Sequence, residues 1–295
     1  MSGRFGIGFV GIGRMGAPMT ECLVKAGWPV RAFDLRPEVL APFEGRDGVT
    51  VAGSLAEAAE GAGLVITMLP DGKAVRAAVL GEGGLAAAMG EGAVLADMST
   101  SYPLETTQLA EDLAGSGIAL ADAPVSGGVW RAELGQLTIM AGGEADVLDR
   151  IEPALSAMGK VYRTGPLGSG HAMKVLNNYL SASGLAAACE AVLIGRRFGL
   201  DPDLMAEVFN VSTGRNNATE VKLKQQVNSG RYASGFAMEL MAKDLKMAAA
   251  LARDLRVEAP GLAACAALYA EALEALGGAA DHTEVMRLIE KPGAR

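Results

Sequence analysis

In the stretch GSGHAMKVLNNYLSASG the polar groups are carried by Lys174, Asn177, Asn178 and Ser181, and the i, i+4 spacing of Lys174 and Asn178 sets an amine and an amide on one helical face. An amine on an otherwise apolar face turned into a cleft is desolvated, and its pKa falls towards the range useful for proton transfer. The bland alternative is a solvated surface lysine, which is what most lysines are. His171, three residues before Lys174, lies near the same face and is the rival base. A second stretch, DAPVSGGVWRAELGQL, offers the Ser126 hydroxyl beside Gly127 and Gly128, whose amides no side chain shields. That combination suits a carboxylate, and taken alone it is equally an ordinary turn.

A third stretch opens the chain. FGIGFVGIGRMGAPMTECL sets Gly11, Gly13 and Gly16 in G-x-G-x-x-G register directly after the apolar run from Ile7 to Val10. Glycine makes up 39 of 295 residues, so the pattern alone is weak and its surroundings decide. Met19, Leu23 and Val24 give one apolar helical face, Gly27 ends that helix, and Val30 to Phe33 reads as a second strand running into Asp34. A strand, a helix and a strand ending in a carboxylate form a dinucleotide-binding unit. Gly11 permits the tight turn, Gly13 lets the backbone approach a pyrophosphate, and Gly16 lets helix and strand pack closely. The helix amides meet the anion, and Asp34 meets the ribose hydroxyls. Ile12, Arg14 and Met15 complete the cofactor loop. Asp34 repels a 2′-phosphate while Arg36 attracts one; the carboxylate decides, so NAD is the expected cofactor, with NADP possible.

The elements that position these groups fall into two grammars. Up to about residue 165, short β-rich runs alternate with Ala-rich helical patterns, as in a parallel sheet wound by helices. The strands are Ile7 to Val10, Val30 to Phe33, Val49 to Val51, Leu64 to Met68, Val94 to Asp97, Ile118 to Asp122, Leu137 to Ala141 and Val161 to Tyr162. Ser54 with Glu57 forms a capping box, and Pro103 starts a helix after the fifth strand. From His171 to Phe198 one long helical pattern runs to Gly199, and Asp201-Pro202 opens the next. Further helices are expected at Thr219 to Val227, Phe236 to Arg253, Leu262 to Leu276 and Thr283 to Glu290. The expected domains are residues 1–166, dinucleotide-binding, and 167–295, all-helical and serving substrate and oligomerisation. The cleft between them is the default ligand site.

Composition sets limits. A chain that is 50% hydrophobic and 20% charged folds, and a net charge of −8 with no cluster of Lys or Arg argues against a nucleic-acid partner. An anionic substrate must then be gathered by local groups. Three scattered cysteines, without C-x-x-C, fit a reducing compartment and are best read as small buried apolar residues. Two histidines give a metal site little to be built from. The chain opens on a strand rather than a signal peptide, and the apolar stretch from Tyr179 to Gly195 is interrupted by Ser181, Ser183 and Glu190. A cytoplasmic protein without a membrane partner is expected.

Four motifs in order, GFVGIGRMGAPMTECLVKAG, DAPVSGGVWRAELGQLTIMAGG, GSGHAMKVLNN and GFAMELMAKDLKMA, resemble the β-hydroxyacid dehydrogenases, the family of 3-hydroxyisobutyrate dehydrogenase and tartronate semialdehyde reductase. The resemblance spans nearly the whole chain. It implies an α/β Rossmann-type N-terminal domain, a long interdomain helix and an all-α C-terminal domain. It makes Lys174 the catalytic residue, Asn178 its partner, and Ser126, Gly127 and Gly128 the substrate-carboxylate cradle. It adds cofactor contacts from Leu69, Thr100 and Lys243, with Phe236 and Asp244 bordering the active site. In the chemistry it implies, Lys174 takes the hydroxyl proton of a 3-hydroxy acid and hydride passes to the nicotinamide, without a metal. A homodimer or homotetramer is also implied.

The chain departs from the familiar pattern at Trp130 and Arg131, and in STGRNNATE with Arg215, Asn216 and Asn217; either segment could reshape the substrate pocket. Arg131 grips a second anionic or polar substituent or pairs with Glu133 at the surface, and both readings stand. Two other functions compete. An imine reductase shares the plan but usually lacks a lysine at position 174, and a non-catalytic dinucleotide-binding module would tolerate loss of Lys174 or the Ser126 loop. A 6-phosphogluconate dehydrogenase resembles the first half but needs a much longer helical domain.

Overall fold

A computed structural model describes residues 4–291 of the chain. It divides into two compact units, Met1–Lys174 and Val175–Arg295.

In the first unit the strands are β1 (Gly6–Val10), β2 (Val30–Phe33), β3 (Val49–Val51), β4 (Ala62–Thr67), β5 (Val94–Asp97), β6 (Ala119–Asp122), β7 (Val125–Ser126), β8 (Leu137–Gly142) and β9 (Gly159–Gly165). They form one sheet in the order β3-β2-β1-β4-β5-β6-β8-β7, with β9 on β8. From β3 to β6 every pairing is parallel, whereas β8 meets β6 and β7 antiparallel. The central strands are apolar on both faces because both are covered. Leu64, Ile66, Val94 and Ala96 enter one core with Phe9 and Leu23; Val65 and Leu95 point the other way, into a second core with Val75 and Leu109. The helices are α1 (Gly16–Lys25), α2 (Leu55–Ala59), α3 (Gly72–Leu80), α4 (Leu85–Ala88), α5 (Pro103–Asp112), α6 (Gly128–Glu133) and α7 (Ala145–Leu155).

Local chemistry sets several boundaries. Ser54 caps α2 by accepting the Glu57 amide at 3.1 Å, but the Glu57 carboxylate takes the Gly53 amide at 2.7 Å, so the expected capping box closes one residue early. Pro103 opens α5 as expected. Strand β7 was not expected: two residues are too few to show a period.

Helix α8 (Ser169–Phe198) runs 30 residues and stops where Gly199 adopts φ +101°. The second unit continues with α9 (Pro202–Asn210), α10 (Asn217–Val221), a π-helical turn at Leu223–Asn228, α11 (Met238–Asp254), α12 (Pro260–Leu276), a 3₁₀ turn at His282–Glu284 and α13 (Val285–Ile289). Asp201 caps α9 through the Leu204 amide at 2.8 Å. The single helix expected from Thr219 to Val227 is instead α10 followed by the π turn, and Phe236 lies just outside α11. No described helix is long and apolar enough to cross a membrane.

Candidate active site

The glycine turn follows β1 at the carboxyl edge of the sheet. Gly11 has φ +99°, and a Cβ there would overlap the Met68 carbonyl oxygen. A Cβ on Gly16 would overlap the Gly11 carbonyl and stand 3.1 Å from the Phe9 ring, so this glycine sets the helix against the strand. Gly13 differs: the nearest atom to its Cβ position is Arg36 Nη2 at 3.5 Å, which leaves its backbone open to a ligand. Met15 caps α1 without a side-chain hydrogen bond and the first turn holds no acidic residue; the Ala17 amide donates to the Gly13 carbonyl at 3.0 Å and Pro18 has no N–H, so an anion would meet the turn before Ala17 rather than the body of the helix.

Asp34 closes the loop. Its Oδ2 accepts the Ile12 amide at 2.8 Å, and its Oδ1 accepts the Arg36 amide at 2.9 Å and the Arg36 Nε at 3.3 Å. The carboxylate therefore braces the turn. Leu69 rests against Gly11, and its amide donates to Ser99 Oγ at 2.9 Å. Thr100 is half-buried beyond β5. An open cradle at Gly13, a helix start without an acidic residue and a carboxylate beyond β2 fit a nicotinamide dinucleotide.

Ser126 ends β7 opposite Thr138, and Gly127 and Gly128 follow with φ +134° and +70°, a conformation that favours glycine. The Arg131 side chain lies over Gly127, 2.8 Å from its Cβ position, whereas Gly128 faces open space. Trp130 is 67% exposed.

Lys174 is only 7% exposed, so it is not the solvated lysine of the bland reading. His171 is fully buried. Its Nδ1 lies 2.9 Å from Thr106 Oγ1 and 3.7 Å from Asp122 Oδ2, and its Nε2 lies 3.6 Å from Asp97 Oδ2. Sealed among these groups, the imidazole is a poor rival for the base.

In the helical unit Asn178 Nδ2 donates to Asp244 Oδ2 at 2.6 Å, and Lys243 Nζ lies 3.6 Å from Asp244 Oδ1. Phe236 is held from behind: its carbonyl accepts the His282 amide at 2.9 Å, and its ring meets the imidazole edge-on at 5.6 Å. Burial pushes His282 down to about 4, so it is neutral at pH 7. Its Nδ1 faces the Phe236 carbonyl at 3.2 Å and so carries the proton. Lys222 donates to Ser181 Oγ at 2.9 Å, and burial, opposed by Asp281, lowers it to about 8. Sequence reasoning missed both residues; the signal for Lys222 was its helical register with the buried Ala218 and Thr219.

The unusual STGRNNATE segment is explained locally. Arg215 Nε donates to Glu220 at 2.6 Å, and Asn216 forms a capping box with Thr219 at the start of α10. The cysteines are buried and free, and desolvation lifts Cys189 to about 12 and Cys265 to about 11, so neither is a thiolate near neutrality.

A fingerprint glycine turn on a Rossmann-type sheet, followed by a helical unit that a single long helix enters, defines a dinucleotide-dependent oxidoreductase. Residues 6–168 match the NAD-binding domain of 6-phosphogluconate dehydrogenase, and residues 168–289 match the domain described as NAD-binding of NADP-dependent 3-hydroxyisobutyrate dehydrogenase. The chain is 38% identical over 287 residues to 2-(hydroxymethyl)glutarate dehydrogenase of Eubacterium barkeri, covering 97% of this chain and 95% of that protein. It is 39% identical over 262 residues to 3-hydroxyisobutyrate dehydrogenase of Pseudomonas aeruginosa, covering 86% and 87%. The solved 3-hydroxyisobutyrate dehydrogenase of Mycobacterium tuberculosis, with L-serine, superposes with a TM-score of 0.88 at 30% identity, covering 98% and 100%. The chain belongs to the β-hydroxyacid dehydrogenase family, the NAD(P)-dependent oxidoreductases of small 3-hydroxy acids.

Proposed function

We propose that this protein interconverts a small 3-hydroxy acid and its semialdehyde, with Lys174 as the general acid and base. The observation that carries this reading is the burial of Lys174, 7% exposed on a long helix, with Asn178 four residues further along the same helix. Nicotinamide dinucleotide, when bound, supplies the acceptor or donor of hydride. Ser126, Gly127 and Gly128 take the substrate carboxylate. Lys174 Nζ accepts the hydroxyl proton as the carbinol C–H pair leaves as hydride, and the oxygen keeps the O–H pair to form the carbonyl; reduction reverses each transfer. Asp244 turns the Asn178 Nδ2 towards itself, and Oδ1, which accepts the Asn177 Nδ2 at 3.2 Å, is the acceptor whose second lone pair orients an ammonium. Phe236, Lys243 and Thr100 complete the substrate and cofactor contacts.

A panel of 3-hydroxy acids and their semialdehydes, each with NAD and NADP, followed by the absorbance of the reduced nicotinamide, tests this. At least one 3-hydroxy acid should exceed its 2-hydroxy isomer by tenfold or more on the order of magnitude expected for misplaced reacting atoms. Turnover of cyclic imines instead, or dinucleotide binding with no turnover of any member, contradicts it.

The same reading includes a homodimer or homotetramer in the cytoplasm. Free, buried thiols support the compartment. A second copy of the chain as partner is supported by exposed apolar residues on α8 and α9, among them Leu180, Ile194, Phe198 (84% exposed) and Leu204. Light scattering at micromolar concentration should give at least twice the chain mass, and Phe198→Asp should reduce it; a parent monomer contradicts the assembly.

A further inference from the structure

Three polar residues stand side by side where β4, β5 and β6 end, with Thr67 paired to Asp97 and Asp97 to Asp122. All are buried. Asp97 spends its carboxylate on its own edge: Oδ1 accepts the Thr67 hydroxyl and the Ser99 amide, each at 3.0 Å, and Oδ2 accepts the Ser101 hydroxyl at 2.6 Å. Asp122 reaches into the helix that carries Lys174. Its Oδ1 accepts the Gly168 amide and its Oδ2 the His171 amide, both at 2.7 Å. The start of α8 is thus capped not by a neighbour in sequence but by the sheet.

The surroundings are built for this approach. A Cβ on Gly170 would overlap the Met140 carbonyl and stand 2.8 Å from Asp122 Oδ2, and a Cβ on Gly142 would stand 2.7 Å from Ser169 Oγ. Ser169 Oγ meets Thr164 Oγ1 at 2.7 Å, and Thr106 holds the His171 ring. Hydrogen bonds donated to a carboxylate are short and strong, and a negative charge at a helix N-terminus is favourable. One rigid carboxylate gripping two amides near the helix start prevents both sliding and rotation of its first turn. Lys174 follows His171 by three residues, so its direction is fixed by the same grip.

We propose that Asp122 is the positioning residue for Lys174: it registers the first turn of α8 against the sheet and so aims the amine. This rests on Lys174 being the acid-base residue. Asparagine is nearly isosteric but has one acceptor, and its amide would face a backbone N–H, so Asp122→Asn loses one grip and acquires a donor-donor clash. Gly170→Ala perturbs the same junction with Asp122 intact. The glycine turn and Asp34 follow β1 and β2 on the same edge of the sheet, with β4 and β5 standing between them and the β6 strand that carries Asp122.

The test compares Asp122→Asn, Gly170→Ala and Lys174→Ala for kcat, dinucleotide affinity, and affinity for an unreactive short carboxylate that competes with substrate. Both junction variants should lower kcat on the order of a hundredfold, the cost of a misplaced reacting group, while both affinities stay within about threefold. The primary deuterium isotope effect on kcat should rise as the chemical step becomes limiting. If Lys174→Ala keeps its turnover, the acid-base reading fails and the positioning role falls with it. If Lys174→Ala is inactive but either folded junction variant turns over like the parent, the positioning role alone is overturned. Loss of carboxylate affinity in step with kcat also overturns it, since Asp122 would then serve the Ser126 loop.

Discussion

Lys174→Ala is expected to lower kcat by about 10³-fold, within the range general acid-base groups contribute, while dinucleotide affinity changes by less than about threefold. Lys174 is buried, so its truncation takes away the group poised to exchange the hydroxyl proton, and bulk water does not readily replace it. The cofactor turn from Gly11 to Gly16 is braced by Asp34 and does not depend on this side chain. Lys174→Arg should fail as well, because guanidinium does not release a proton near neutrality and its planar fork is larger than an ammonium. Steady-state kcat together with fluorescence titration of the reduced dinucleotide measures both quantities. A Lys174→Ala enzyme that keeps most of its rate contradicts the assignment.

The parent protein is expected to prefer NAD, and Asp34→Ser to reverse or erase that preference. A 2′-phosphate brings about 1.5 to 2 negative charges towards a carboxylate already fixed by the Ile12 amide. Arg36 pulls the other way, but its Nε is engaged with Asp34 at 3.3 Å. Serine removes the charge, frees Arg36 to bind phosphate with two parallel bonds, and is too short to replace the brace to Ile12. Hydrogen bonds to a charged group are worth about 1.5–3 kcal/mol, so kcat/KM with NAD should fall roughly ten- to a hundredfold. The measurement is kcat/KM for each cofactor at fixed substrate, before and after the substitution. A parent that already prefers NADP shows that Arg36 outweighs Asp34.

Where a signal is local, the chain reads plainly. Val30–Phe33, Val49–Val51 and Val94–Asp97 are strands with the expected bounds, because short apolar runs between turns have few alternatives. The end of α8 at Gly199 and the cap at Asp201 are equally local. The role of Asp122 was not legible within its own motif, since the amides it holds lie 46 and 49 residues further on. His171 looked like a base from its spacing alone; only the strands carrying Asp97 and Asp122 reveal it as enclosed. Arg215 and Asn216 are the opposite case. Their partners, Glu220 and Thr219, stand within five residues, and the Asn-x-x-Thr spacing of a helix cap was available beside the reading of an altered pocket. The half-buried pair of Lys222 and Ser181 joins residues 41 apart, beyond any local pattern.

Hydride transfer from a 3-hydroxy acid is tested most directly by isotope. The best substrate of the panel is prepared with deuterium on its carbinol carbon, turned over in ordinary water, and the reduced nicotinamide examined by mass spectrometry and NMR. The expected result is one deuterium per reduced ring, on a single face, with rate loss in Lys174→Ala and no change in the label's destination. Reduced nicotinamide without deuterium, or label lost to solvent, contradicts direct transfer from the carbinol carbon.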